Sequence, residues 1–198
     1  MDGPRAGTTN GALGLADRDI VDRIRAGDAE LFGRLFDMYW EPLCQVATFS
    51  IHDADEAREV VADVFASLWE RRTTLTVSST VAAYLFGATR FRARRAYRDA
   101  THRGALLDAH LGEGWEEVSL QGDRIADGDE VASDMDTRLT IEQGLETLPP
   151  RYRMAVYLRW QRDLEYDEIA EVLEISREAA KKLVLRAVGM LRERVRGR

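Results

Sequence analysis

Apolar residues recur along this chain at helical spacing. Leu31, Leu35, Met38/Tyr39, Leu43 and Val46 return every three to four residues. Asp28 stands just ahead of them with N-cap chemistry, so the pattern predicts a helix there. Pro42 lies inside it and is expected to bend or interrupt it. Asp53 can start a second helix, with Val60, Val61, Val64, Phe65, Leu68 and Trp69 on one face. A third helix is predicted over 79–98. Four shorter ones are predicted near 137–147, 150–161, 166–173 and 177–194. The chain has four prolines and lacks alternating β-branched runs bounded by turns. The expected class is all-α: two small helical domains, 17–98 and 137–198, behind a disordered tail 1–16.

The segment between the domains is set apart by its composition. Residues 99–136 hold 11 acids and 2 bases, with glycines at 104, 112, 114, 122 and 128. No helical stripe runs through them, which predicts an acidic flexible linker. The whole chain of 198 residues carries a formal net charge of -7. Taken alone, that figure argues against nucleic acid. Distribution changes the picture. Nearly all of the deficit sits in 99–136, while 137–198 holds 13 bases against 10 acids and 17–98 holds 12 against 13.

Other classes are narrowed by what the sequence lacks. A single cysteine, Cys44, excludes an intramolecular disulfide, and three histidines give no zinc spacing. The longest uncharged run, 73–89, is 17 residues and seven of them are Ser or Thr. It is too short and too polar to cross a bilayer. Residues 1–16 contain no apolar core segment, so no signal peptide is expected. These features predict a cytoplasmic protein without membrane insertion. No glycine-rich phosphate loop, metal-ligand cluster or nucleophile–base pair emerges, so neither a cofactor nor an enzymatic activity is expected.

The most specific local signal is the segment 166–187. Ile169, Leu173, Ile175, Ala180 and Val184 are apolar where two short helices face each other, and Ala170 is small where they cross. Ser176 is a good N-cap for the second helix. This is a helix-turn-helix pattern, whose second helix can enter a major groove. Its outward positions include Arg177, Glu178, Lys181, Lys182 and Arg186, the last able to meet phosphate or guanine. The turn position that commonly holds glycine holds Glu174, which must adopt that conformation at a cost.

Two further helices carry chemistry in the first domain. The helix after Asp53 combines its apolar stripe with Asp55, Glu56, Glu59 and Asp63. Such an acidic face repels phosphate and is available to a protein partner. The helix over 79–98 holds Tyr84, Phe86, Phe91 and Tyr97 together with Arg90, Arg92, Arg94, Arg95 and Arg98. Arginines neutralise phosphates and aromatics stack on unpaired bases, a combination suited to single-stranded or melted DNA. Tyr84 and Phe91 are also candidates for the core.

These segments together resemble the extracytoplasmic-function group of sigma-70-type RNA polymerase sigma factors. The resemblance rests on Ile20-Val-Asp-Arg-Ile-Arg-Ala-Gly-Asp-Ala-Glu-Leu-Phe, on Tyr39-Trp-Glu-Pro-Leu, and on the helix 53–69. It continues through Val81-Ala-Ala-Tyr-Leu-Phe-Gly-Ala-Thr-Arg and Leu148-Pro-Pro-Arg-Tyr-Arg into the helix-turn-helix. It implies a role without catalysis: binding core RNA polymerase, reading the -10 and -35 elements of promoter DNA, and helping to open it. Core-polymerase binding would fall to Asp55, Glu56, Glu59, Asp63, Phe65 and Trp69. The -10 contacts would fall to Arg71, Arg72, Tyr84, Arg90, Arg94, Arg95 and Arg98. The -35 contacts would fall to Ser176, Arg177, Glu178, Lys181, Lys182 and Arg186. The loop 71–80 matches the one that captures a flipped base in the family. An anti-sigma factor is a further partner that the resemblance admits. Phe91, where the family often has Asn, and Ala179-Ala-Lys-Lys-Leu, where it often has Thr-Val-Lys-Ser-Arg, depart from the pattern and leave the promoter sequence open.

Two alternatives stand beside this reading. A regulator that binds duplex DNA without core polymerase would use the helix-turn-helix but neither of the two helices upstream. A helical adaptor would leave both basic clusters idle.

Overall fold

The computed structural model describes residues 9–10, 13–51, 53–103, 144–145 and 148–196. The chain divides into two compact units, Met1–Arg98 and Asp99–Arg198. Both are built from helices. The only strands among the described residues are the two-residue β1 (Thr9–Asn10) and β2 (Leu15–Ala16), paired antiparallel with Thr9 opposite Ala16. This pairing falls inside the predicted disordered tail. Gly14, at φ +65, supplies the turn, and buried Leu13 anchors it.

In the first unit α1 (Asp17–Arg25) buries Ile20, Val21 and Ile24. The apolar pattern did not predict this helix. It ends in a left-handed cap: Gly27, at φ +86, donates to the Ile24 carbonyl, and Asp28 donates to that of Arg23. Asp28 then caps α2 (Ala29–Thr48), its Oδ1 accepting from the Leu31 amide at 2.9 Å. That bond, with Arg23 beside it, holds the Asp28 carboxyl below the usual carboxylate range. α2 buries Leu31, Leu35, Tyr39, Leu43 and Val46 as expected, but runs unbroken through Pro42. Proline removes one backbone donor there, and the buried residues on either side hold the helix together across it.

Asp53 starts α3 (Ala54–Glu70) by accepting from the amides of Asp55 and Glu56 at 2.8 and 3.0 Å. Val60, Val61, Val64, Phe65 and Leu68 are buried against α2. A 3-10 turn (Arg72–Thr74) and a short loop lead into α4 (Val81–Arg103). This helix extends to Arg103, past the predicted start of the linker at 99. The rest of that acidic segment, and the predicted helix over 137–147 apart from 144–145, lie outside the described residues.

In the second unit α5 (Pro150–Val156) opens on proline at its first position, where no amide is missed. The predicted helix over 150–161 is not uniform. Its last part, Tyr157–Gln161, widens into a π turn in which the Arg162 amide reaches the Tyr157 carbonyl. α6 (Tyr166–Leu173) begins with a reciprocal cap between Glu165 and Glu168. α7 (Arg177–Arg196) follows after three residues. Leu148, Met154, Leu158, Ile169, Val172, Ala180, Leu183, Val184 and Leu191 form the core. Burial also pushes the Tyr157 hydroxyl up to about 12.

Candidate nucleic-acid interface

On α4 the arginines and aromatics separate by helical phase. Tyr84, Phe91, Arg95 and Arg98 lie within an arc of about 60° on one side, at 100° per residue. Tyr84 is half-buried, and Phe91, Arg95 and Arg98 are exposed. Phe91 is 55% exposed, the one large hydrophobic residue so exposed among those described. It does not join the core, one of the two places the sequence allowed it. Arg94 and Arg92 flank the stripe, half-buried, and the Arg92 guanidinium bonds to Ser67 Oγ.

Arg90 corrects the sequence-based site. It is only 5% exposed and shares the inner face with fully buried Phe86 and Ala93. That face turns its guanidinium away from any external phosphate.

The loop between α3 and α4 is pinned at both ends. Arg71 is exposed and closes α3. Arg72 is half-buried: its guanidinium lies 4.6 Å from the Trp69 ring centroid and donates to the Trp69 carbonyl at 2.7 Å. Beyond them, Arg25 of α1 reaches the Leu75 carbonyl through both Nε and Nη2. At the far end the Val81 amide donates to Asp17 Oδ1 at 2.7 Å, and the Ala83 amide donates to Thr80 Oγ1. Residues 76, 78 and 79 between these pins are exposed and Val77 is half-buried.

The acidic side of α3 is turned outward. Asp55, Glu59 and Asp63 are exposed and Glu56 is half-buried. Asp55 pairs with Arg58 at 2.7 Å across one helical turn. Phe65, assigned to the same surface from sequence, is buried at 2%, with ring centroids 6.0 Å from Phe32 and 4.9 Å from Phe36. It can support that face but not touch a partner. Trp69 is half-buried, 4.7 Å from Phe32, so only its outer edge is offered.

In the second unit α6 and α7 form the expected helix-turn-helix. Glu174 takes the left-handed conformation, φ 56 and ψ 46. Its amide donates to Glu171 and that of Ile175 to Ala170. Ser176 caps α7 by accepting from the Ala179 amide at 3.1 Å. Arg177, Glu178 and Lys182 are exposed, and Lys181 and Arg186 are half-buried. Arg177 is already engaged by Asp167 of α6 at 3.3 Å and by Glu178 at 3.6 Å. Residue spacing does not signal this pairing, which weakens Arg177 as a phosphate ligand relative to Lys182. Among the described residues there is no group able to hold a metal ion, and no helix is long and apolar enough to cross a membrane.

Residues 144–193 match the family model described as "Sigma-70, region 4". The ECF RNA polymerase sigma factor SigW of Bacillus subtilis is 22% identical over 183 residues, which is 89% of this chain and 95% of that protein. The RNA polymerase sigma-H factor of Pseudomonas aeruginosa is 22% identical over 181 residues, 86% of this chain and 89% of its own. Among solved structures, CnrH in complex with the cytosolic domain of CnrY superposes with a TM-score of 0.59 at 20% identity, covering 91% of this chain and 97% of that one.

Proposed function

We propose, for a chain that belongs to the extracytoplasmic-function group of the sigma-70 family, that it directs core RNA polymerase to promoters and helps open them. The observation that carries this reading is the outer stripe of α4. A lone exposed phenylalanine is ordinary on a soluble protein. Here it lies beside Tyr84, Arg95 and Arg98 on the same helix face. Rings that stack on bases, alternating with charges that meet phosphates, suit unpaired DNA. Arg94, which flanks the stripe, and exposed Arg71, at the end of α3, are further contacts for the -10 element in this reading.

The second unit has the chemistry for duplex DNA at the -35 element. Ser176 fixes the start of α7, and Glu178, Lys181, Lys182 and Arg186 supply contacts to base edges and phosphates. The acidic face of α3, Asp55, Glu56, Glu59 and Asp63 with the edge of Trp69, is the docking surface for core polymerase. Its charge would be repelled by DNA and suits a basic protein partner. The chain is not itself an enzyme: the polymerase performs the chemistry, in the cytoplasm. An anti-sigma factor that covers these faces would hold the protein inactive.

The test is reconstitution. The full chain is mixed with core RNA polymerase and a promoter library, and transcripts are mapped. Initiation at a defined set of -10 and -35 sequences is the expected result. Tight binding to duplex by the chain alone, with no directed initiation, would instead establish a helix-turn-helix regulator.

A further inference from the structure

In the segment 76–79, Thr76, Ser78 and Ser79 are exposed, yet its two ends are held by side chains from a single short helix 50 to 64 residues earlier in the chain. Asp17, at the first position of α1, accepts from the Val81 amide at 2.7 Å. Arg25, at the last position, places Nε and Nη2 on the Leu75 carbonyl. Arg25 is itself oriented by Asp22, whose Oδ1 lies 3.2 Å from Nη1. Leu75 and Val81 are both buried, so the bonds act on anchored residues. Between them stand Thr76, Ser78 and Ser79, small hydroxyl-bearing residues. A loop of this kind can offer hydroxyls and backbone groups to the edge of an unstacked base, provided its shape is set beforehand.

We propose that Arg25 is a positioning residue for base capture: by forking onto the Leu75 carbonyl it fixes the loop 76–79 in the shape that receives an unstacked base of single-stranded promoter DNA. The inference rests on the sigma-factor reading and adds to it a residue outside the DNA-facing surface. Asp17 secures the far end of the loop but also caps α4, so its loss would disturb the helix as well. Arg25 is the cleaner probe, because its side chain is 40% exposed and its bonds to Leu75 leave the start of α4 capped.

The experiment uses the full chain with core RNA polymerase on a promoter library randomised at the -10 and -35 elements. Wild type, Arg25→Ala and Arg25→Lys are compared, and base preference is read at each position from transcript sequences. Arg25→Ala is expected to flatten the preference at one -10 position by about tenfold, within the range of discrimination that one base-edge contact supplies. Preferences at the -35 element stay as in wild type. Arg25→Lys keeps the charge but loses the planar fork, and is expected to flatten the same position. Unchanged base preference in Arg25→Ala overturns the inference. So does full restoration by Arg25→Lys, which would mark Arg25 as a plain phosphate contact. A uniform loss at all positions with a lowered melting temperature overturns it in favour of a structural role. Absence of directed initiation by wild type removes the sigma-factor reading, and this inference with it.

Discussion

Asp17→Ala is expected to loosen the start of α4 far more than a surface substitution would. Asp17 is 7% exposed, and its Oδ1 accepts from the Val81 amide at 2.7 Å. Val81 is itself 5% exposed, so water does not readily replace the lost acceptor. A hydrogen bond to an ionised acceptor contributes about 1.5–3 kcal/mol, and an orphaned buried donor costs about 1–3 kcal/mol. A carboxylate at a helix N-terminus gains up to about 2 kcal/mol when partly buried. These figures describe one contact from different sides and do not add. The expected loss is about 2–3 kcal/mol, a sizeable part of the roughly 5–15 kcal/mol that holds a domain folded.

Asp17→Asn keeps an acceptor and loses the charge, so about 1 kcal/mol is expected. Amide hydrogen exchange in the intact chain reads this locally. For residues 81–84, protection should fall about 30- to 150-fold in Asp17→Ala, since 1.4 kcal/mol is about tenfold. Ala83 retains its own bond to Thr80, so the change should be steepest at Val81. Protection at Val81 within about twofold of wild type would refute the capping role.

Three further outcomes are expected. Glu174→Gly should stabilise the second unit by up to about 1 kcal/mol in denaturant unfolding, because glycine adopts φ 56 without a Cβ penalty; a destabilised variant would contradict this. Acid should weaken the first unit: Asp28 and Asp53 both have depressed carboxyls, from the Leu31 amide in one case and the Glu56 and Asp55 amides in the other. Their contribution is therefore present above the unfolded value of about 4 and is lost as pH falls through the folded value. The Asp28→Asn, Asp53→Asn double variant should show a shallower acid slope by circular dichroism, and an equal slope would reject the assignment. Phe91→Ala should leave stability within about 0.5 kcal/mol, as expected for an exposed side chain. It should nevertheless lower promoter opening about tenfold to a hundredfold, the scale of one lost base stack.

What could be read from sequence was governed by distance along the chain. Caps are local, and Asp28, Asp53 and Ser176 all serve as their spacing predicted. The strained turn was also legible. Two helices close with the same pair of backbone bonds: α1 with Gly27 at the left-handed position and α6 with Glu174. The first unit's opening helix was hidden by its own charge. Six of the nine residues of α1 are Asp or Arg, which leaves only Ile20, Val21 and Ile24 to mark an inner face. Nor could spacing reveal that Arg25 and Asp17 reach residues 50 and 64 positions away.

The inversion at 90 and 91 is more instructive. Hydropathy alone would bury Phe91 and expose Arg90. Helical phase demands the reverse, because Phe86 and Ala93 are fully buried and Arg90 lies on their side. Phe91 points about 140° away from Phe86 on that helix. A sequence under selection for folding alone has no reason to place the ring outside and the guanidinium inside. Departures of this kind concentrate where function overrides local preference. The net charge of -7 likewise hides a local arrangement. The excess of acid over base that produces it lies in 99–136, whereas exposed positions of α4 carry Arg95 and Arg98 beside an unburied ring. Overall acidity therefore weakens encounter between the free protein and DNA without removing the local basic surface on α4. A protein of this charge is served by a partner that brings it to DNA, and under the proposed function the acidic face of α3 is what that partner would dock against.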